Sequence, residues 1–437
     1  LEKELFERLS KTNSAIEGFF EPQNTGQNIQ RSSFSIEFED LMKNWASFPA
    51  LRTARAMSIF ERIKPLILEK INSTSRPQET LKAFGNFLSK LPAGIQIFSL
   101  FENNKQILDL LIDILGTSGA LSEYLVKNTD VLDSVIAPEF WEIWPSRKFL
   151  SSELEIILKS EVDYEAKLDL TRRWCKEWQF KIGVHYLRSQ ISAKKAGAQY
   201  AELAEITLSI IWKEVLFEFA KKFGPEPGNG AAVISMGSLG SGVLHANSDL
   251  DLIIVYHADG NDQSEGDRSL SARQYYSRLT KAFITAVSAP MTEGRLYEID
   301  MRLRPSGFQG PVATSWSSYQ NYQKNEAWVW EHLALTRARA VAGKGFLLNE
   351  FETFRSSLLK SYNRKNIFSE LVNMRTRIFQ AKPLNPWDAK IGPGRLQDID
   401  LLSQAGCLAN KCVSRSTAAG LEALLVDNFI KPVGIPF

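Results

Sequence analysis

An α+β architecture, with a few strands set into an otherwise helical chain, is the fold class that this 437-residue sequence predicts. Three observations carry the prediction. Apolar residues recur at helical spacing through long stretches at both ends of the chain, as in "IFERIKPLILEKI" and "QILDLLIDIL". Between about 231 and 304 the period shortens to two in three separate places, each bounded by glycine or polar residues. The chain is also longer than one hydrophobic core fills, so two or three domains are expected, with any one site confined to a minority of the residues.

Taken in order, residues 1 to about 20 read as a helix, and the polar stretch "EPQNTGQNIQRSS" reads as a flexible connection. Helices then resume from about 36 to 135, broken at "STSRP", "LPAG" and "GTSG". Since these segments carry no fixed-period signature, they read as an irregular bundle rather than a solenoid. "APEFWEIWPS" marks a boundary, after which residues 151 to 222 form long helices ending at "GPEPGNG". "AAVISMG" is the first strand, a Gly/Ser loop follows, and "DLDLIIVYH" is the second strand. The acidic tract from Asp259 to Asp267 is a solvated loop, "ARQYYSRLTKAFITAVSAP" a helix, and "LYEIDMRLR" a third strand. Beyond it, "QNYQKNEAWVWEHLALTRARAV" reads as one long helix with Trp328, Trp330 and Leu335 in the core.

Composition narrows the function classes. With 52 basic and 50 acidic residues the net charge is +2, and no basic stripe interleaved with aromatics appears, so nothing points to nucleic acid. Three cysteines and four histidines give neither a disulfide framework nor zinc-ligand spacing, which fits the cytosol. Cys407 and Cys412 read as ordinary small helix residues, and His332 as a hydrogen-bonded structural histidine. No apolar run reaches the ~18 residues that a membrane span requires. The first residue is Leu, so the expectation is a piece of a longer protein whose remainder carries a second activity.

The chemistry concentrates at the loop and strands. Asp249 and Asp251 lie two apart in a strand and project to one face, where like charges ~4 Å apart repel by roughly 4 kcal/mol at an effective dielectric of 20. A hard divalent cation, Mg²⁺, is the natural partner for such a pair. Upstream, "MGSLGSG" brings Gly237, Ser238 and Gly240 as bare backbone and hydroxyls suited to phosphate oxygens, although the loop is neither a Walker A sequence nor a GxGxxG fingerprint. Ser248, directly before the acid pair, joins this nucleotide-binding group. In "EIDMRLR" the alternation places Ile299, Met301 and Leu303 on one face and Asp300, Arg302 and Arg304 on the other. Asp300 would complete a three-carboxylate site for two metal ions, and the arginines would neutralise phosphate charge. Each feature alone has a plain structural reading; the three together, in this chain order, favour chemistry.

These residues resemble the nucleotidyltransferase fold of the DNA polymerase β type: a Gly-Ser loop, a DxD beyond it, and a third aspartate on a later strand. "GSLGSGVLHANSDLDLIIVY", "LYEIDMRLRPSGFQGPVATS" and "YQKNEAWVWEHLALTRARAVAG" are similar to signature segments of the bifunctional glutamine synthetase adenylyltransferase/adenylyl-removing enzyme family. "NYQKNEAWVWEH" resembles the C-terminal, AMP-adding domain of that family. The resemblance covers most of residues 36 to 410 and implies a helical central region over 1–150, a nucleotidyltransferase domain over 151–345, and an incomplete C-terminal helical bundle over 346–437.

The resemblance further implies AMP transfer from ATP, with Mg²⁺, to a tyrosine of glutamine synthetase. It also implies a PII-type signalling protein and glutamine as regulators. The chain departs from the family pattern at Ser238, where the family has a lysine, at Arg395, where a second glycine is usual, and at Asp400, where glutamate is usual. Two other readings stay open: nucleotide transfer to RNA or another protein, and a non-catalytic regulatory module that binds nucleotide.

Overall fold

In the computed structural model, residues 41–128, 131–363, 366–381 and 385–426 are described. The expected first helix, the polar connection and the start of the helical block at 36 fall outside these residues. The described part divides into two compact units. One runs to Trp144 and takes in Gly183–Ile191; the other comprises Pro145–Ile182 and the residues from Ser192 onward.

The first unit is all helical: α1 (Ala54–Asn72), α2 (Pro77–Lys90), α3 (Ile95–Asn103), α4 (Lys105–Thr117), α5 (Gly119–Lys127) and α6 (Val131–Ile136). Helix α1 starts where the Thr53 hydroxyl accepts the Ala56 N–H, and it buries Ile59, Phe60, Ile63, Ile67 and Ile71 at spacings of three and four. Its core includes a chain of rings. Phe60 lies 6.0 Å from Trp45 and 5.2 Å from Phe98, and Trp45 lies 5.6 Å from Phe84.

The second unit opens with α7 (Arg147–Lys159), the larger part of α8 (Tyr164–Leu187) and the long α9 (Ala193–Phe223). A mixed sheet follows: β1 (Ala231–Ser235), β2 (Leu250–Tyr256), β3 (Ile299–Asp300), β4 (Ala313–Ser315) and β5 (Arg339–Gly343). Its order is β3-β2-β1-β5. Both β2 and β5 run antiparallel to β1, while β3 and β4 lie parallel to the two halves of β2. The short α10 (Gly237–Ser241) joins β1 to β2, and α11 (Ala272–Ser288) joins β2 to β3.

Both faces of the two central strands are covered, which explains why their apolar runs are nearly continuous. On one face Ala232, Ile234, Ile253 and Val255 pack with Trp316 and Tyr319 of α12 (Trp316–Asn325), Leu335 of α13 (Val329–Leu335) and Phe351 of α14 (Gly345–Ser361). On the α11 side, Tyr256 stacks on Tyr276 at 4.5 Å, and Trp212 of α9 meets Phe283 of α11 at 5.1 Å. Helices α15 (Ile367–Ala381), α16 (Leu396–Ala409) and α17 (Thr417–Val426) complete the unit. The fully buried Arg355 ties this region to α13 by donating to the carbonyls of Leu335, Thr336 and Val413, and burial lowers its pKa to about 10.

Four local expectations are corrected. The third strand stops at Asp300, because the Asp300 carboxylate accepts the Arg302 N–H at 2.8 Å and turns the chain. The long helix is two. Tyr322 O accepts from both Glu326 and Ala327, and the Glu331 carboxylate takes the Trp328 N–H, so α12 ends and α13 starts anew. Trp328 and Trp330 are exposed rather than in the core, and the RARAVAG segment supplies strand β5. Finally, Cys412 lies past the end of α16, its N–H donating to Cys407 O.

Candidate active site

Residues 237–249 form the short α10 and a turn built against strand β2. Gly237 has φ +52°, and a Cβ there would overlap Oδ2 of Asp251, so the side chain of Asp251 lies directly on the loop backbone. The Met236 N–H donates to Asp251 O at 2.8 Å, which fixes the register of loop and strand. Gly237→Ala forces Asp251 aside and puts a Cβ at positive φ, so a loss of about 1–3 kcal/mol of stability is expected, read as a lowered denaturation midpoint.

The three acids are brought together by the sheet. Asp251 and Asp300 are direct partners in the parallel β2–β3 ladder, and strands in such a ladder lie about 4.8 Å apart. Asp249 precedes β2, is exposed, and acts on the same charges. Burial first, then the negative charges of Asp300 and Asp249, push the Asp251 carboxyl up to about 6, against the opposing influence of Lys390 and Arg302. Asp300 goes the other way: burial raises its pKa, but Arg302 outweighs that and holds the carboxyl below its usual range. Both oxygens of Asp300 are engaged by Arg302, Oδ1 by its N–H at 2.8 Å and Oδ2 by its Nε at 2.6 Å. The Arg302 side chain is 67% exposed and that of Asp300 17%, so the member of the pair open to solvent is the arginine.

The other expected residues are placed less directly. Ser238 is exposed on α10. Gly240 is buried, and a Cβ there would overlap the carbonyl of Arg337, so its smallness serves packing inside the protein. The Ser248 hydroxyl accepts the His245 N–H within its own turn. Arg304 is buried, with its guanidinium donating to the carbonyls of Met301, Phe308 and Gly310. It holds the loop after β3, and only its charge reaches Asp300. His332 is buried, with Nε2 2.8 Å from Gln323 O.

Three further residues act on the site from distant parts of the chain, of which Arg337 and Arg339 stand out in the sequence as candidate supports of the phosphate site and Lys390 does not. Arg339 of β5 pairs with the buried Glu205 of α9 and donates to Leu239 O at 2.8 Å, clamping α10 from behind. Arg337 donates to Asp400 at 2.6 Å and to Thr417 at 2.9 Å, tying α16 and α17 to the segment against which Gly240 packs. Lys390, far along the chain, lies within electrostatic reach of Asp251.

Among the described residues no group of three or more His, Cys, Asp or Glu forms a ready metal cage. The fit to Mg²⁺ is nevertheless good for Asp249 and Asp251, which are oxygen donors whose mutual repulsion a hard cation relieves. Asp300 fits only once Arg302 lets go of it.

A small mixed sheet carrying clustered acids beside a Gly/Ser turn, within a helical setting, is a nucleotidyltransferase-type fold. More than half of the chain, residues 108–353, matches the family model described as "Glutamate-ammonia ligase adenylyltransferase", and the chain belongs to that family. It is 35% identical over 94% of its length to the bifunctional glutamine synthetase adenylyltransferase/adenylyl-removing enzyme of Mesorhizobium japonicum, covering 43% of that protein. Proteins with the same name in Brucella suis and Agrobacterium fabrum are 37% and 36% identical over 84% and 88% of this chain, which covers 38% and 40% of them. The chain therefore spans less than half the length of these relatives.

Proposed function

We propose that this chain transfers AMP from ATP to a tyrosine hydroxyl of glutamine synthetase, with pyrophosphate as the leaving group. The observation that carries the reading is the pairing of Asp251 with Asp300 across β2 and β3, with Asp249 and the Gly237 turn against them. Family membership and the relatives' names support the adenylyl group and glutamine synthetase as its acceptor. The tyrosine, a PII-type protein and glutamine as regulators, and a cytoplasmic location rest on the family resemblance.

In this reading Asp249 and Asp251 hold Mg²⁺, which when bound neutralises phosphate charge and orients the triphosphate. The Ser238 hydroxyl faces the phosphates from α10. Arg302 exchanges the Asp300 carboxylate for a phosphate oxygen, to which its fork is equally suited, and offsets charge as the leaving pyrophosphate forms. Freed from the guanidinium, Asp300 loses what holds its pKa down and accepts the proton of the attacking hydroxyl. No membrane attachment enters the reading; among the described residues no helix is long and apolar enough to cross a bilayer.

Glutamine synthetase incubated with this chain, Mg²⁺ and ATP labelled at the α-phosphate is expected to gain label, and mass spectrometry to place one AMP on a tyrosine. Label from the γ-phosphate instead of the α-phosphate would overturn the reaction assigned. The Asp300–Arg302 ion pair also favours one second reading: ATP bound tightly without turnover would mark a nucleotide-binding regulatory module.

A further inference from the structure

We infer that Cys407 and Cys412 are a redox-responsive pair, oxidised by a small peroxide to an intramolecular disulfide and returned to two thiols by a thiol reductant.

Spacing alone argues against the pair, since residues five apart on a continuous helix face about 140° away from each other. The chain leaves the helix between them. Helix α16 ends at Ala409, Asn410 caps it, and Lys411 takes a left-handed backbone at φ +55°. The Cys412 N–H then donates to Cys407 O at 2.8 Å, from the sixth residue of the turn back to the first. A helix end of this kind folds the sixth side chain onto the first, and here both are thiols. The two are in hydrogen-bond contact, and Cys407 Sγ also lies 3.7 Å from Ser414 O. Sulfurs held in this way bond without a large backbone movement.

The turn is held from both sides. The Asn410 amide donates to Gly406 O at 3.2 Å and to Ala423 O at 3.0 Å. Just beyond Cys412, Val413 O accepts from Arg355 at 3.0 Å, and Arg415 donates to Ala338 O at 2.8 Å. Ala338 stands between Arg337 and Arg339, so the pair sits in the turn that braces the supports of α10.

Exposure sets the order of the steps. Cys412 is partly exposed and Cys407 is buried, and burial, followed by the neighbouring Cys412, pushes the Cys407 thiol up to about 12. Cys412 as thiolate therefore attacks the peroxide oxygen; the O–O bond breaks, hydroxide leaves and is protonated to water, and Cys412 becomes a sulfenic acid. The Cys407 sulfur then displaces the sulfenic hydroxyl, which departs as water with the Cys407 proton. Two thiols and one hydrogen peroxide give one disulfide and two waters. Cys175 is buried with Sγ 3.3 Å from the Tyr297 hydroxyl, and it stays reduced.

The whole folded chain, treated with stoichiometric hydrogen peroxide, is expected to lose about 2 Da and two of its three thiols. Trypsin cuts after Lys411, so the peptides 396–411 and 412–415 stay joined only by the disulfide, and dithiothreitol parts them. Cys412→Ser shows no mass loss. Cys407→Ala leaves Cys412 as a sulfenic acid that dimedone traps; should that variant fail to fold, wild type and Cys412→Ser decide. Three thiols left intact, sulfinic acid at Cys412 in place of the disulfide, a bond between chains, or a link that forms only in denaturant would overturn the inference.

Discussion

Asp251→Asn lowers adenylyl transfer by about a thousandfold or more, because it removes one of the two acids that hold the cation against the phosphates. The same substitution stabilises the metal-free protein at neutral pH. The native carboxyl titrates near 6 and the unfolded one near 3.8, so the native state binds the proton more tightly. Stability from this group is complete below about pH 4 and is lost as pH rises through 6. By pH 7.5 the wild type therefore carries a buried charge penalty of about 3 kcal/mol that Asn does not. Denaturant titrations at pH 4.5 and 7.5 in chelator should show wild type losing stability across that interval more steeply than the variant. Saturating Mg²⁺ should narrow the gap for wild type alone. A variant that kept its transfer rate, or that fell in stability at pH 7.5, would separate Asp251 from both roles.

Asp300→Asn costs less in folding and nearly as much in activity. The amide oxygen still accepts the Arg302 N–H that turns the chain after β3, so thermal and chemical midpoints should hold within about 1 kcal/mol. What disappears is the charge that Arg302 answers and the capacity to take a proton. A loss of roughly a hundred- to ten-thousandfold in kcat is expected, with little change in the KM for ATP. A parallel rise in KM without a fall in kcat would assign Asp300 to nucleotide binding, with no part in the proton transfer.

Much of the fold was legible because burial and period act locally. Strands β1 and β2 stand out as near-continuous apolar runs, and α11 has an unbroken 3.6-residue stripe. Where alternation outlived the strand, the pattern misled. Met301 is buried and Leu303 packs against the core after the chain has already turned at Asp300, and Arg304 is drawn inward by three carbonyls. Strand β5 was hidden because its Arg/Ala alternation is short, is rich in the helix former alanine and directly follows a helical run, and its conformation comes from pairing with β1. The Gly/Ser motif does not reveal the division of labour within its loop, since Gly237 meets Asp251 while Gly240 meets Arg337. The Arg337–Asp400 tie depends on contact between distant segments, which no local spacing encodes.

Crystals of this chain grown with Mn²⁺ and a non-hydrolysable ATP analogue, measured at the manganese absorption edge, test the central claim most directly. The account predicts an anomalous peak bridging the carboxylates of Asp249 and Asp251 and touching the analogue's phosphates. Nucleotide bound with its phosphates elsewhere, or manganese absent from those two carboxylates, would contradict it.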